Sequence, residues 1–225
     1  MAPSESESAG GETTDPYRRE LVVGAIVVGW SVLTALMMAA FPGPTSLDRW
    51  GFAAVARSAR STTLIHITEL GKPAVLIVGA LLAALVAVGR DRPRALSCVT
   101  GPLVTVLLVE YVFKPLVGRH FEGVLSYPSG SVADIAALAT VWTLAVPRRV
   151  RPVVGAIGAL AILSMTVAVI GLRWHYPTDA VGGAVLGVGT VLLVDGILHH
   201  PRISRQRWAH TGPLRRPHAS ESGPA

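Results

Sequence analysis

LVVGAIVVGWSVLTALMMAAF, running from Leu21 to Phe41, carries no charged residue and decides the fold class. About 20 apolar residues suffice for a helix to cross the hydrocarbon core of a bilayer. A helix on a soluble domain would show a polar face over that length, and this one shows none. A long acidic leader precedes it and no clear small-residue cleavage site follows, so it reads as a retained helix rather than a secretory signal. Pro42-Gly43-Pro44 stops it.

Working outward, five more apolar blocks follow. They cover Ile65–Val88 (interrupted near Gly71-Lys72-Pro73), Leu96–Phe113, Ser131–Val146, Val153–Leu172 and Ala180–Leu198. The sequence therefore predicts an all-α polytopic membrane protein, a six-helix transmembrane bundle over residues 21–198. Residues 1–20 and 199–225 are polar, the latter basic and Pro-rich, and read as disordered tails. Between the first two blocks, Thr45–Thr63 is mixed. Leu47, Trp50, Ala54 and Val55 share one helical face, which predicts an amphipathic helix lying at the membrane interface.

The whole chain agrees with this reading. Of 225 residues, 51% are hydrophobic and only 15% charged, against roughly 25% charged in soluble domains. Mean hydropathy is +0.51. The lone cysteine, Cys98, lies in an apolar block and has no partner for an intramolecular disulfide. The net charge of +6 does not point to nucleic acid, because the basic residues sit at the ends of the apolar blocks instead of forming one patch. Their distribution does orient the chain. Thirteen of the 20 Lys and Arg fall in the two tails and the second and fourth loops, and the other 7 in the first, third and fifth loops, with Lys72, at the break of the second block, counted with the first loop. By the positive-inside rule the termini are cytoplasmic, and the third and fifth loops face outward at the cell membrane.

Those two loops carry the chemistry. The third holds Lys114, Arg119, His120 and then Pro128-Ser129-Gly130-Ser131; the fifth reads Arg173-Trp174-His175-Tyr176-Pro177-Thr178-Asp179. Both lead into helices, whose first turns offer unpaired N–H groups and a positive dipole end, so Ser129-Gly130 is a place for a phosphate. Lys114, Arg119 and Arg173 can neutralise its oxygens. His175 and Asp179 are four apart at a helix start. A carboxylate that accepts one ring N–H leaves the other imidazole nitrogen as a nucleophile. Each element alone also has an ordinary reading. Lys114 and Arg119 can be snorkelling residues. Pro-Ser-Gly-Ser can be a plain turn and cap, and His175 with Asp179 a capping pair. The ordered combination on one side of the membrane favours the chemical reading.

These residues resemble the type 2 phosphatidic acid phosphatase family, membrane relatives of the vanadium haloperoxidases. The resemblance covers about 65–198. It rests on Arg173-Trp-His175-Tyr-Pro-Thr-Asp179 with Gly182-Gly183, on Lys114-Pro-Leu-Val-Gly-Arg119 and on Pro128-Ser129-Gly130. It implies a lipid phosphate or diphosphate phosphatase that works at the outer face through a phosphohistidine. His175 would be the nucleophile, Asp179 its orienting carboxylate, and Lys114, Ser129 and Gly130 phosphate ligands, with Arg119, Ser131 and Arg173 beside them. No metal or other cofactor is implied, and the partners are a membrane lipid and the bilayer.

The chain departs from all three family signatures. The Arg-Pro of the first falls on Phe121-Glu122, and the Arg of the third on Val169. The histidine of Pro-Ser-Gly-His, which protonates the leaving group, is Ser131. Asp134 and His120 are the ionisable neighbours able to stand in. A member without the acid would be a headgroup-binding protein, the competing expectation. Glu110 and Asp195, inside apolar blocks, receive no role.

Overall fold

The computed structural model describes residues 16–55 and 62–200, and within them the chain is mostly helical. Helix α1 spans Pro16–Ala40, α2 Ser46–Val55, α3 Thr62–Thr68, α4 Pro73–Val88 and α5 Arg92–Leu107. A π-helical stretch, Leu108–Phe113, carries α5 into the short α6, Lys114–Val117. Helices α7 (Gly130–Ala145), α8 (Arg151–Gly171) and α9 (Pro177–Leu198) complete it. Four segments are long and apolar enough to cross a membrane: Tyr17–Ala40, Arg92–Val117, Arg151–Gly171 and Pro177–Leu198. Thr62–Gly71 and Pro73–Val88 pass the same test as a pair bent by 53°, at the expected Gly-Lys-Pro break. The sixth expected crossing, α7, has 16 residues and is a shorter apolar helix.

The boundaries shift where caps override hydropathy. Helix α1 starts at Pro16, ahead of the expected 21, and brings Tyr17 and Glu20 into the helix. Arg92-Pro93-Arg94, between the second and third apolar blocks, is the first turn of α5. There Asp91 is the N-cap, accepting from the Arg94 amide at 3.0 Å, and proline needs no N–H. The third loop, expected as an irregular polar stretch, contains a two-residue hairpin, His120–Phe121 with Val124–Leu125. Its turn residues Glu122 and Gly123 have φ of 48° and 85°, the left-handed pair a two-residue hairpin demands. The stretch 56–61 of the expected amphipathic helix and both outer tails (1–15 and 201–225) lie outside the described residues.

Helix α7 is the central post, with residues in three separate buried clusters. Helix α9 packs against it closely enough that a Cβ at Gly183 would overlap the Ser129 carbonyl, and one at Gly187 the Ala133 carbonyl. Small residues at such contacts let backbones approach, which is how helices gain packing without a hydrophobic drive. The outward faces of α1, α4, α5 and α8 are apolar and exposed, with Ile26, Leu85, Leu103 and Leu160 among them. That surface suits acyl chains as its solvent. On α2, Leu47 and Trp50 are likewise exposed, whereas Asp48 and Gly51 turn inward.

Candidate active site

One end of the bundle gathers the starts of α7 and α9, the end of α6, the hairpin and the inner face of α2. Gly118, at φ 61°, ends α6, and the hairpin then doubles the chain back to Ser126. The Ser129 amide donates to the Asp179 carbonyl at 2.9 Å, joining the entries of α7 and α9. A cleft of about 370 Å³ opens here, lined by Lys114, Phe121, Glu122, Arg173 and His175 among others.

His175 is held by its backbone neighbours. Its Nδ1 lies 2.9 Å from the Ser126 carbonyl oxygen. A carbonyl only accepts, so Nδ1 carries the proton and Nε2 keeps its lone pair. Asp179 Oδ2 is farther off, 3.9 Å from Nδ1. Thus the group orienting the ring is the Ser126 carbonyl, and Asp179 is not the expected hydrogen-bond acceptor. Asp179 is occupied otherwise: Oδ2 accepts from the Tyr176 amide at 3.0 Å and Oδ1 from Arg119 Nη1 at 2.6 Å. Burial pulls the His175 imidazole from its ordinary 6.5 down to about 4. The Ser126 hydrogen bond opposes that shift, and the positive charge of Lys114 adds to it.

Arg119 is not in the cleft. It is fully buried and donates to the carbonyls of Pro42 and Gly43, to Thr178 Oγ1 (2.7 Å), to Asp179 and to Asp48 Oδ2 (2.7 Å). With its donors spent between two carboxylates, the expected phosphate ligand is a strut. Asp48, missed by sequence reasoning, is its second anchor. Asp48 also accepts from Thr45 and from both the amide and hydroxyl of Thr178. Burial by itself would raise its carboxyl, but the Thr178, Thr45 and Arg119 hydrogen bonds hold it below the ordinary range.

The phosphate-binding candidates sit as follows. Helix α7 starts at Gly130, and a Cβ there would lie 3.2 Å from Glu110 Oε1 and 4.0 Å from Lys114 Nζ. Glycine therefore keeps open the space beside a lysine and a helix N-terminus. Lys114 Nζ pairs with Glu110 Oε1 at 2.6 Å, one turn back in the π-helical stretch. Ser129 Oγ is buried and makes no hydrogen bond among the described residues. Arg173 lines the cleft from a left-handed backbone (φ 59°), its guanidinium 4.1 Å over the Phe52 ring. Ser131 lies against Gly71, where an added Cβ would be 3.0 Å from Ser131 Cβ and 3.4 Å from Met165 Cε. Asp134 is half-buried and feels the charges of Glu110 and Lys114. His120 is exposed on the hairpin, its Nδ1 2.8 Å from the Gly118 carbonyl.

The paired entries of α7 and α9 around a histidine, with a lysine beside Gly130, lie within a stretch that a family model matches, the PAP2 superfamily over residues 72–199. The chain belongs to that superfamily. Among solved structures, it is similar to a transmembrane PAP2 type phosphatidylglycerolphosphate phosphatase from Bacillus subtilis. The likeness has TM-score 0.59 and 19% identity, and covers 78% of this chain and 95% of that one, so it speaks for the fold. No curated protein matches. PAP2 membership together with the apolar helices makes this a multi-pass membrane protein, and family membership supports hydrolysis of a phosphoric ester.

Proposed function

We propose that this PAP2 protein is a lipid phosphate or diphosphate phosphatase that crosses the cell membrane six times, with both termini cytoplasmic and the His175 cleft at the outer face. The observation that carries the catalytic reading is the His175 ring. Its Nδ1–H is fixed on the Ser126 carbonyl, and it lines one cleft with Lys114 and Arg173. In that arrangement Nε2 attacks phosphorus. Lys114, Arg173, the Ser129 hydroxyl and the free amides of the first turn of α7 receive the phosphoryl oxygens. The P–O bond to the lipid breaks as the P–N bond forms. Water then attacks the phosphohistidine, releasing phosphate and returning the neutral imidazole. Asp179, 3.9 Å from Nδ1, stabilises the positive charge that the ring acquires when phosphorylated.

Ser131 bears on the substrate. A lipid monophosphate expels an alkoxide, whose conjugate acid has a pKa near that of water, about 15.7, and it requires a proton. A diphosphate expels a phosphate whose second pKa is roughly 6, which leaves without one. Absence of the usual histidine therefore favours diphosphates, such as a polyprenyl diphosphate, over phospholipid-type monoesters. Asp134, which feels the charges of Glu110 and Lys114, and His120 on the hairpin are the ionisable neighbours that would lend a proton. The second reading, a protein that binds phosphorylated headgroups without turning them over, draws on Ser131 as well.

The experiment is phosphohistidine trapping with labelled lipid phosphate and diphosphate. Label should appear on the wild-type protein and vanish in His175→Ala, and Asp179→Asn should slow turnover strongly. Ser131→His should raise monoester hydrolysis far more than diphosphate hydrolysis; equal gains would refute the leaving-group argument. Binding of both lipids with no phosphoenzyme would establish the non-catalytic reading.

A further inference from the structure

The far end of the bundle, where α7 and α9 finish, holds a second cavity of about 230 Å³. Its wall includes four arginines, Arg90, Arg94, Arg148 and Arg151, and two carboxylates, Glu20 and Asp91. Both acids pair with Arg94, as does Asp195. Arg94 Nη2 donates to Glu20 at 3.0 Å and to buried Asp195 at 2.9 Å, its Nε lies 3.6 Å from Asp91, and Asp91 also meets His199. The other three arginines enter no ion pair among the described residues. Arg90 and Arg151 donate only to backbone carbonyls of the last turn of α7: Arg90 to Ala145, Arg151 to Leu144 and Val146. Arg148 makes no hydrogen bond there.

Carbonyls at a helix C-terminus attract cations, and with four arginines against Glu20, Asp91 and Asp195 this end still keeps a net positive charge. Three guanidinium groups brought around one cavity repel each other, and an anion among them removes that repulsion. The planar N–H forks of arginine fit tetrahedral oxyanions in bidentate fashion. With Glu20, Asp91 and Asp195 against four arginines the cluster keeps one net positive charge, and the N–H forks of Arg90, Arg148 and Arg151, outside any ion pair among the described residues, suit the several oxygens of a phosphate-type anion better than the two of a carboxylate.

We propose that this cavity is a phosphate-binding site, separate from the His175 cleft, for a phosphate-bearing anion. Phospholipid headgroups and free phosphate share that chemistry. The inference does not depend on the catalytic reading, since none of its residues contacts the cleft.

The test places the reporter at the cavity. A cysteine is introduced at exposed Arg149, beside Arg148, and labelled with an environment-sensitive fluorophore in the full-length protein; Cys98 is buried and stays unlabelled. Titration with inorganic phosphate should give a saturable signal. Arg90→Gln with Arg148→Gln should weaken it at least tenfold, and His175→Ala should leave it unchanged. Arg94 and Arg151 are left intact because their bonds hold α5 and α8 to α7. In nanodiscs, loss of the phosphate response with phosphatidylglycerol but not with phosphatidylcholine identifies a lipid headgroup as occupant. Retention of it in both identifies free phosphate. No saturable signal, or one the double variant does not weaken, overturns the proposal; loss of the signal in His175→Ala would return it to the cleft.

Discussion

At the scale of single residues, His175 and Arg119 divide the work that the sequence assigned jointly to the basic and acidic residues of two loops. His175 is 16% exposed at its side chain, and burial brings it to about 4. The neutral imidazole that a nucleophile needs thus persists well below 6.5. The same shift has a stability cost with a definite sign. Above 6.5 the ring is neutral in both folded and unfolded chains. As pH falls below 6.5 the unfolded chain takes up the proton first, so stability drops until the folded ring also titrates near 4. The loss amounts to about 3 kcal/mol at most. Unfolding of the solubilised protein followed from pH 7 to pH 4 should show this slope, and His175→Asn should flatten it. An unchanged slope in the variant would mean the ring is already charged near neutrality.

Arg119 sits between two carboxylates and is fully buried. Breaking one half of such a buried pair leaves a charge uncompensated and costs roughly 3–5 kcal/mol. Asp48→Ala should therefore lower the thermal unfolding midpoint sharply, although Asp48 lies outside the cleft lining. Because Asp48 also holds the Thr178 amide and hydroxyl, turnover should fall in Asp48→Asn with little change in KM. His175, Lys114 and the Ser129-Gly130 entry were legible in the sequence because each stands next to its own helix start. The Asp48 role was not. Thr45 and Asp48 do form a local capping pair, Asp48 accepting the Thr45 amide and the Thr45 hydroxyl the Asp48 amide. The contact that gives Asp48 a role at the site is with Thr178, 130 residues away. No local pattern signals that distance. Ser126 was hidden for a related reason, since it acts through a backbone carbonyl that any residue would supply.

At the scale of elements, α2 roofs the end of the bundle that holds the cleft. Its Phe52 ring lies 5.9 Å from Tyr176 and 6.0 Å from Phe121, and Gly51 is packed so tightly on Pro177 that a Cβ would collide with the proline ring. The sequence reading named the apolar face of α2, on which Leu47 and Trp50 are exposed, and gave no place to Asp48, which turns inward. Beneath it, the α7–α9 contact sets where Ser129 stands relative to His175. Gly183→Ala forces α9 away from the Ser129 carbonyl. Overpacking of this kind costs roughly 1–3 kcal/mol, and the same variant should weaken phosphate binding at the cleft, measured by inhibition with inorganic phosphate. Gly155→Ala, which meets nothing closer than 3.8 Å, should do neither.

At the scale of the whole molecule, most of the architecture was legible, because long apolar runs leave few alternatives in a bilayer. The bent pair was marked by Gly71-Lys72-Pro73, and the length of α7 matched the apolar run that encodes it. Ends were less legible, since caps such as Asp91 extend a helix past its apolar residues. Sidedness rests on the distribution of Lys and Arg. A cysteine at Glu122, exposed at the hairpin turn, should react with an impermeant thiol reagent added outside intact cells, and one at Arg149 should react only after permeabilisation. The reverse pattern would put the cleft at the cytoplasmic face.

The shortness of α7 has a consequence for how a substrate arrives. Sixteen residues at 1.5 Å each give a rod of about 24 Å, whereas the hydrocarbon layer is about 30 Å thick. On the proposed six-span topology the post is about 6 Å short of that thickness, so at least one of its ends stops below the acyl boundary of its leaflet, and the proposed function puts the first turn of α7 there. A lipid whose tails stay in that leaflet brings its phosphate to this depth by a small inward slide. A water-soluble phosphate ester has to leave bulk solvent and descend into a funnel, with no tail to offset the loss of hydration. Turnover should consequently rise steeply with tail length, and short-chain esters should remain poor substrates even at saturating concentration.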